Sequence, residues 1–142
     1  MTVKPIPAGY QTITPYLTVE HGAKLLAFLK AAFNAEVLGC SEKDGVIYNA
    51  EVKIGTSMLM LADTRGRHPA TPTMLYLYVN DVDAAYAQAV KAGGKSIMAP
   101  VDHFYGDRSG AVEDLCGNQW WLATHIRDVP ADEIAQHMSK QK

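Results

Sequence analysis

Apolar and polar residues alternate in QTITPYLTV, residues 11 to 19, which predicts a strand ending near Val19. Leu25, Leu26, Leu29 and Phe33 then recur at steps of three and four, on one face of a helix that Asn34 can end by turning left-handed. After a turn at Lys43-Asp44-Gly45, VIYNAEVKI and SMLMLAD predict two strands joined tightly through Gly55-Thr56. TRGRHPATPT, with two prolines and no apolar residue but Ala70, reads as a linker.

The plan then repeats. MLYLYV predicts a strand, and NDVDAAYAQAVKAGG a helix with aspartate at its start and a glycine pair at its stop. GAVEDL and QWWLATH predict a closing hairpin through Gly117-Asn118, and a short helix is expected over about 130–139. Tyr16 pairs with Tyr76 and Val19 with Val79 at an offset of 60, and Glu51 with Glu113 and Gly55 with Gly117 at an offset of 62. The drift falls in loops, where insertions cost little. Strand, helix and about three strands, written twice, is an α+β chain with halves over about 8–66 and 72–128.

Composition bounds what such a chain does. At 142 residues it forms one domain, residues 1–142, able to bury about 70% of its unfolded surface without metal or disulfide staples. A net charge of −2 offers no basic field for nucleic acid. No apolar run reaches the roughly 20 residues of a membrane span, and MTVKPIPAGYQTI lacks a signal peptide's apolar segment, so a cytoplasmic location is expected. Cys40 and Cys116 lack CxxC spacing and read as reduced core thiols.

TPYLTV leading into a helix, IGTSMLMLAD, and GDRSGAVEDLCGNQWWLATH together resemble the vicinal oxygen chelate superfamily of glyoxalases, bleomycin-resistance proteins and extradiol dioxygenases, and more narrowly its PhnB-like branch. The resemblance covers about residues 8 to 130. It implies tandem βαβββ repeats whose curled mixed sheets surround a cup-like cavity, and paired cups in a homodimer. In metal-dependent members, the first and last strands of each half supply His or Glu ligands. Here those positions hold Thr14, Leu59 or Met60, Met74 and Trp121, none a usual ligand for a divalent Lewis acid. Neither a metal nor another cofactor is therefore expected.

If the aliphatic face of Leu17, Leu77 and Val79 packs on helices, Tyr16 and Tyr76 turn to the cup. Trp121 would form part of its floor, with Trp120 on the opposite face of the strand. The resemblance puts His103, Phe104 and Tyr105 in a loop across the mouth, where His103 and Tyr105 can stack on and hydrogen-bond a ligand. Arg108 either anchors an anionic ligand or serves an internal ion pair with Asp107, Glu113 or Asp114. Glu51 and Glu113 form a carboxylate pair, face solvent, or pair with Arg108 and Lys53. The ligand-binding candidates are thus Tyr16, Tyr76, His103, Tyr105, Arg108 and Trp121.

Other chemistry is thinly represented. No GxSxG elbow occurs, and Gly93-Gly94 ends a helix instead of opening one, so it cradles no phosphate. His68 and His137 read as surface residues, His21 as the start of a helix, and no HxH or HExxH spacing links any two histidines. The leading expectation is a metal-free protein that binds a small, partly apolar molecule, as in sequestration of an antibiotic. Two alternatives stay open: a glyoxalase- or dioxygenase-type enzyme using an unorthodox metal set from Glu51, His103, Glu113 or His125, and a partner-binding protein whose cavity is filled by its own side chains.

Overall fold

A computed structural model describes residues 2–141. The elements run β1 (Tyr16–Val19), α1 (Gly22–Phe33), β2 (Glu36–Lys43), β3 (Val46–Ile54), β4 (Ser57–Asp63), β5 (Met74–Tyr78), α2 (Val82–Lys91), β6 (Lys95–Asp102), β7 (Asp107–Glu113), β8 (Gln119–His125) and α3 (Ala131–Ser139). They form two four-stranded mixed sheets with the same order, β1-β4-β3-β2 and β5-β8-β7-β6. In each, the first strand lies parallel to the last and the other pairs are antiparallel. The expected α+β duplication is therefore present. The sheets are not joined into one: an isolated bridge links Thr18 of β1 to Thr71 in the linker. Among the described residues, no helix is long and apolar enough to cross a membrane.

The halves repeat each other down to their caps. The carboxylate of Asp63, at the end of β4, accepts from the Gly22 N–H at 2.8 Å, at the start of α1. In the second half Thr124, near the end of β8, accepts from the Val82 N–H at 2.9 Å, at the start of α2. Each satisfies a donor that a helix start leaves without an intrahelical partner. Asn34 ends α1 in the left-handed region with φ 56°.

Leu17, Val19, Leu25, Leu29, Val52 and Leu61 are fully buried between the first sheet and α1, and Val82, Ala89, Val112 and Leu122 between the second sheet and α2. The two groups belong to one core. Phe33 of α1 lies 5.1 Å from the ring of Trp120 in β8, and Gln88 of α2 donates to the carbonyl of Ala31 and to Asn34 Oδ1, both at 2.9 Å. Trp120 is wholly buried on the helix side of its strand, and its indole N–H donates to Asp114 at 2.8 Å. Asp114 also accepts from Cys116 N–H and from the backbone and side chain of Asn118, which knots the β7–β8 turn.

Three expectations need correction. The strand predicted over 11 to 19 begins only at Tyr16, since Gln11 instead spends its side-chain amide on the backbone of Met58. Cys40 is exposed on β2 and Cys116 is half-buried, so these free thiols are not core residues. Glu51 and Glu113 are not equivalent: Glu51 stands opposite Met60 as Ala111 stands opposite Trp121, whereas Glu113 stands opposite Gln119. The cause is unequal turns. The first hairpin closes Ile54 on Ser57 through two residues, and the second closes Glu113 on Gln119 through five.

Candidate functional site

Each sheet has a face turned away from its helix, and the first strands show it most plainly. On β5, Met74, Tyr76 and Tyr78 are exposed and alternate with half-buried Leu75 and Leu77. Tyr76 stands beside Trp121, which stands beside Ala111; in the first half Tyr16 stands beside Met60, which stands beside Glu51. Tyrosine and Trp121 side chains thus share the open face, and Trp120 lies on the other.

The first half's open face is partly spoken for. Tyr10 donates its hydroxyl to Glu51, and burial together with that carboxylate pushes the phenol pKa up to about 12. Asn49 donates to the hydroxyl of Tyr16 at 3.2 Å and to the sulfur of Met60 at 3.5 Å.

The second half carries a denser arrangement, centred on Asp107. This carboxylate is 4% exposed, and its Oδ2 accepts the hydroxyls of Tyr76 and Tyr78 at 2.8 and 2.9 Å. Its Oδ1 lies 2.8 Å from Nδ1 of His125, the residue opposite it on β8. Nε2 of His125 in turn lies 2.7 Å from Asp128 Oδ1, in the segment leading to α3. Burial alone would raise the Asp107 pKa, but the donors from His125, Tyr76 and Tyr78 outweigh it and hold the carboxyl below its ordinary value. Burial and the Asp107 bond push the Tyr76 phenol up, and the hydrogen bonds to Asp107 and Asp128 raise the imidazole of His125.

The β6–β7 turn borders this cluster. His103 stacks on Tyr105 at 5.1 Å and 11°, and its Nε2 is buried without a partner, as is Oγ of Ser109, the open-face neighbour of Asp107. Phe104 stacks on His137 of α3 at 4.0 Å. Gly106 holds φ +104°, and its carbonyl accepts from Ile126 and Arg127, clamping the tail to the turn.

Arg108 points the other way. It is on the helix side of β7, where its guanidinium donates to Asp83 of α2 and to Asp102 of β6, each at 3.0 Å. It anchors no group on the open face, and its partners are none of Asp107, Glu113 and Asp114. Adjacent residues on a strand face opposite ways, so Asp107 and Arg108 could not serve one site. Of the remaining candidates, Tyr76 joins the Asp107 cluster, His103 and Tyr105 border it, Trp121 lies two residues along β8 from Ala123, and Tyr16 belongs to the first sheet. Tyr78, Asp107 and Asp128 are the members that sequence reasoning did not place in a site. A tyrosine two residues after Tyr76 and a buried aspartate opposite a histidine were the available signals.

Among the described residues the two sheets do not close into one. A half-open groove of about 840 Å³ runs instead along β5, where the halves meet. Phe33, Ile54, Leu75 and Leu77 give it apolar surface, and Asn34, Ser57, Asp81 and Gln88 polar surface. Tyr76 and Tyr78 border it along the edge of β5, while their hydroxyls reach Asp107 on the opposite, open face.

The positions at which the family resemblance implies metal ligands do not fit a divalent ion. Register puts Met60, not Leu59, on the open face beside Tyr16, and Trp121 beside Tyr76. Thr14 spends its hydroxyl on the Gln11 carbonyl at 3.3 Å. Thioethers and an indole offer neither charge nor hard donor atoms. Glu51, His103, Glu113 and His125 do not form an alternative set: among the described residues, no three His, Cys, Asp or Glu side chains gather as a metal would require.

Residues 10–122 match the family profile described as the Glyoxalase/Bleomycin resistance protein/Dioxygenase superfamily. The uncharacterized protein Mb0911c of Mycobacterium bovis is 34% identical over 141 residues, covering 91% of this chain and 93% of its own. The crystal structure of TioX from Micromonospora sp. ML1 superposes with a TM-score of 0.72 at 22% identity, over 82% of this chain and 99% of that one. The PhnB protein from Bacillus cereus gives 0.66 at 22% identity, over 80% and 99%. At these identities the two structures speak for the fold.

Proposed function

The chain belongs to the glyoxalase/bleomycin resistance protein/dioxygenase superfamily, and on that footing we propose that it binds a small, partly apolar molecule without using a metal. The supporting observation is the exposed aromatic surface on the open face of β5: Tyr76 and Tyr78 are 41% and 66% exposed although each has an apolar ring to bury. A ligand lying on that face covers both rings at once. Sequestration, as in the bleomycin-resistance members that the family's name includes, requires nothing further of the site. The ligand chemistry favours flat apolar bodies, because two exposed aromatic rings offer a stacking surface.

We further propose that the protein works in the cytoplasm as a homodimer, the outer strands of its open sheets being edges that a second subunit can cover. Native mass spectrometry of protein purified without added metal tests the dimer and the metal-free binding. The expected spectrum shows a dimer with no stoichiometric divalent ion, and saturable binding of an apolar aromatic probe that Tyr76→Ala weakens about tenfold. A tightly held metal whose removal abolishes binding would overturn the metal-free reading.

A further inference from the structure

His125 is bound on both sides by acceptors. Asp107 and Asp128 are carboxylates that only accept, so the two contacts are both satisfied when the ring is an imidazolium, and they raise its pKa toward that form. The two partners differ in kind. Asp107 is buried and held by two tyrosine hydroxyls, so it is a fixed counter-ion. Asp128 is fully exposed, at 101% of its reference surface, and lies on the short tail before α3. An exposed ion pair of this type is weakly held and readily exchanged with solvent or another anion.

We propose that His125 receives the carboxylate of a small apolar acid, and that Asp128 occupies this position as a built-in stand-in until the ligand displaces it. This rests on the ligand-binding reading above and names the ligand's polar end. Tyr76 and Tyr78 make the connection: their exposed rings share the open face of the second sheet with His125, and their hydroxyls end at Asp107, one hydrogen bond from His125. A molecule lying over those rings on the same face would bring a carboxylate within reach of the imidazole.

Charge selects a carboxylate over a phosphate. The exchange of Asp128 for one ligand carboxylate leaves the local charge unchanged, with a single imidazolium facing one buried and one replaceable anion. A second negative charge would need another cation. The arginines next in sequence are committed elsewhere, Arg108 to Asp83 and Asp102 and Arg127 to Glu133.

The tether sets the threshold. A group held on so short a segment competes at an effective concentration of about millimolar, so a free carboxylate displaces it only with help from the rest of the molecule. The experiment titrates benzoate, with benzyl alcohol as its neutral counterpart, into histidine-labelled wild-type protein, Asp128→Asn and His125→Gln. Imidazole nitrogen shifts, assigned to His125 by their loss in His125→Gln, report occupancy of Nε2. Tryptophan fluorescence reports any aromatic binding.

Benzoate is expected to shift His125 Nε2 and to bind Asp128→Asn at least tenfold more tightly than wild type, while benzyl alcohol leaves Nε2 unmoved. Benzoate that does not perturb His125, or binds both forms equally, overturns the proposal. Saturable fluorescence changes with benzyl alcohol in that case show that the apolar site stands and only the carboxylate assignment fails. No response to either probe counts against both.

Discussion

At Asp107 and His125 a single pair of side chains ties stability to pH from two directions. The groups facing His125 are Asp107 from β7, with Tyr76 and Tyr78 of β5 behind it, and Asp128 from the tail. The His125 pKa is raised in the folded protein, so its contribution is complete below the unfolded value of about 6.5 and is lost as pH rises through the folded one. The Asp107 pKa is lowered, so its contribution is present above an unfolded value of about 3.9 and is lost as pH falls through the folded one. The pair therefore stabilises most between about pH 4 and 6.5. Melting temperature measured against pH should decline on the alkaline side, and His125→Gln should flatten that limb. An unchanged limb in the variant would show that another group causes it. Such a network was hard to read in advance. Residues 76, 78, 107, 125 and 128 converge only through register between β5, β8 and β7, whereas Tyr16, Tyr76 and Trp121 could be assigned to one face by alternation alone.

Among elements, α3 is the least secured. It buries no residue, so the tail's attachment depends on the Phe104–His137 stack, the Asp128 contact and the Gly106 clamp. A Cβ at Gly106 would lie 2.2 Å from the Arg127 carbonyl oxygen, at a φ of +104° that other residues rarely adopt. Gly106→Ala is expected to cost roughly 1–3 kcal/mol, concentrated in the tail. Limited proteolysis after residue 125 should accelerate about tenfold, equivalent to about 1.4 kcal/mol of opening free energy, while the two sheets keep their protection from hydrogen exchange. Uniform loss of protection would show instead that the turn supports the whole second sheet. Strands and helices with strong periodicity were legible: the apolar faces of α1 and β3, the Gly55-Thr56 turn and the Asn34 stop all carry local signals. The start of β1 was not, because the alternation in residues 11 to 15 continues past the point where Gln11 and Thr14 turn to other partners. Nor was the five-residue turn of the second hairpin, whose register depends on Asp114 gathering Cys116, Asn118 and Trp120.

Over the whole molecule, duplication makes two sheets but not two folding units. Each half has its own helix-covered face, yet Trp120 reaches Phe33 across the seam, and the buried side chains of both halves form one cluster. Neither sheet can be exposed on its helix side without opening the other, so thermal unfolding should be a single transition with calorimetric and van't Hoff enthalpies equal. Phe33→Ala removes the first half's ring from that contact and should cost about 3 kcal/mol, toward the low end for such truncations because Phe33 is only partly buried. The resulting fall of about 10 °C in melting temperature should leave the transition single if Leu29, Gln88 and the remaining buried residues still join the halves. Calorimetry that resolves two transitions in Phe33→Ala would mean that this one ring couples them. The same truncation widens the groove beside Leu75 and Leu77 on the helix side of β5 and leaves the open face unchanged, so it tests whether a ligand uses the seam at all. An aromatic probe held by Tyr76 and Tyr78 should then keep its affinity, although the protein holding it is less stable, whereas a gain by bulkier probes would place the ligand in the groove.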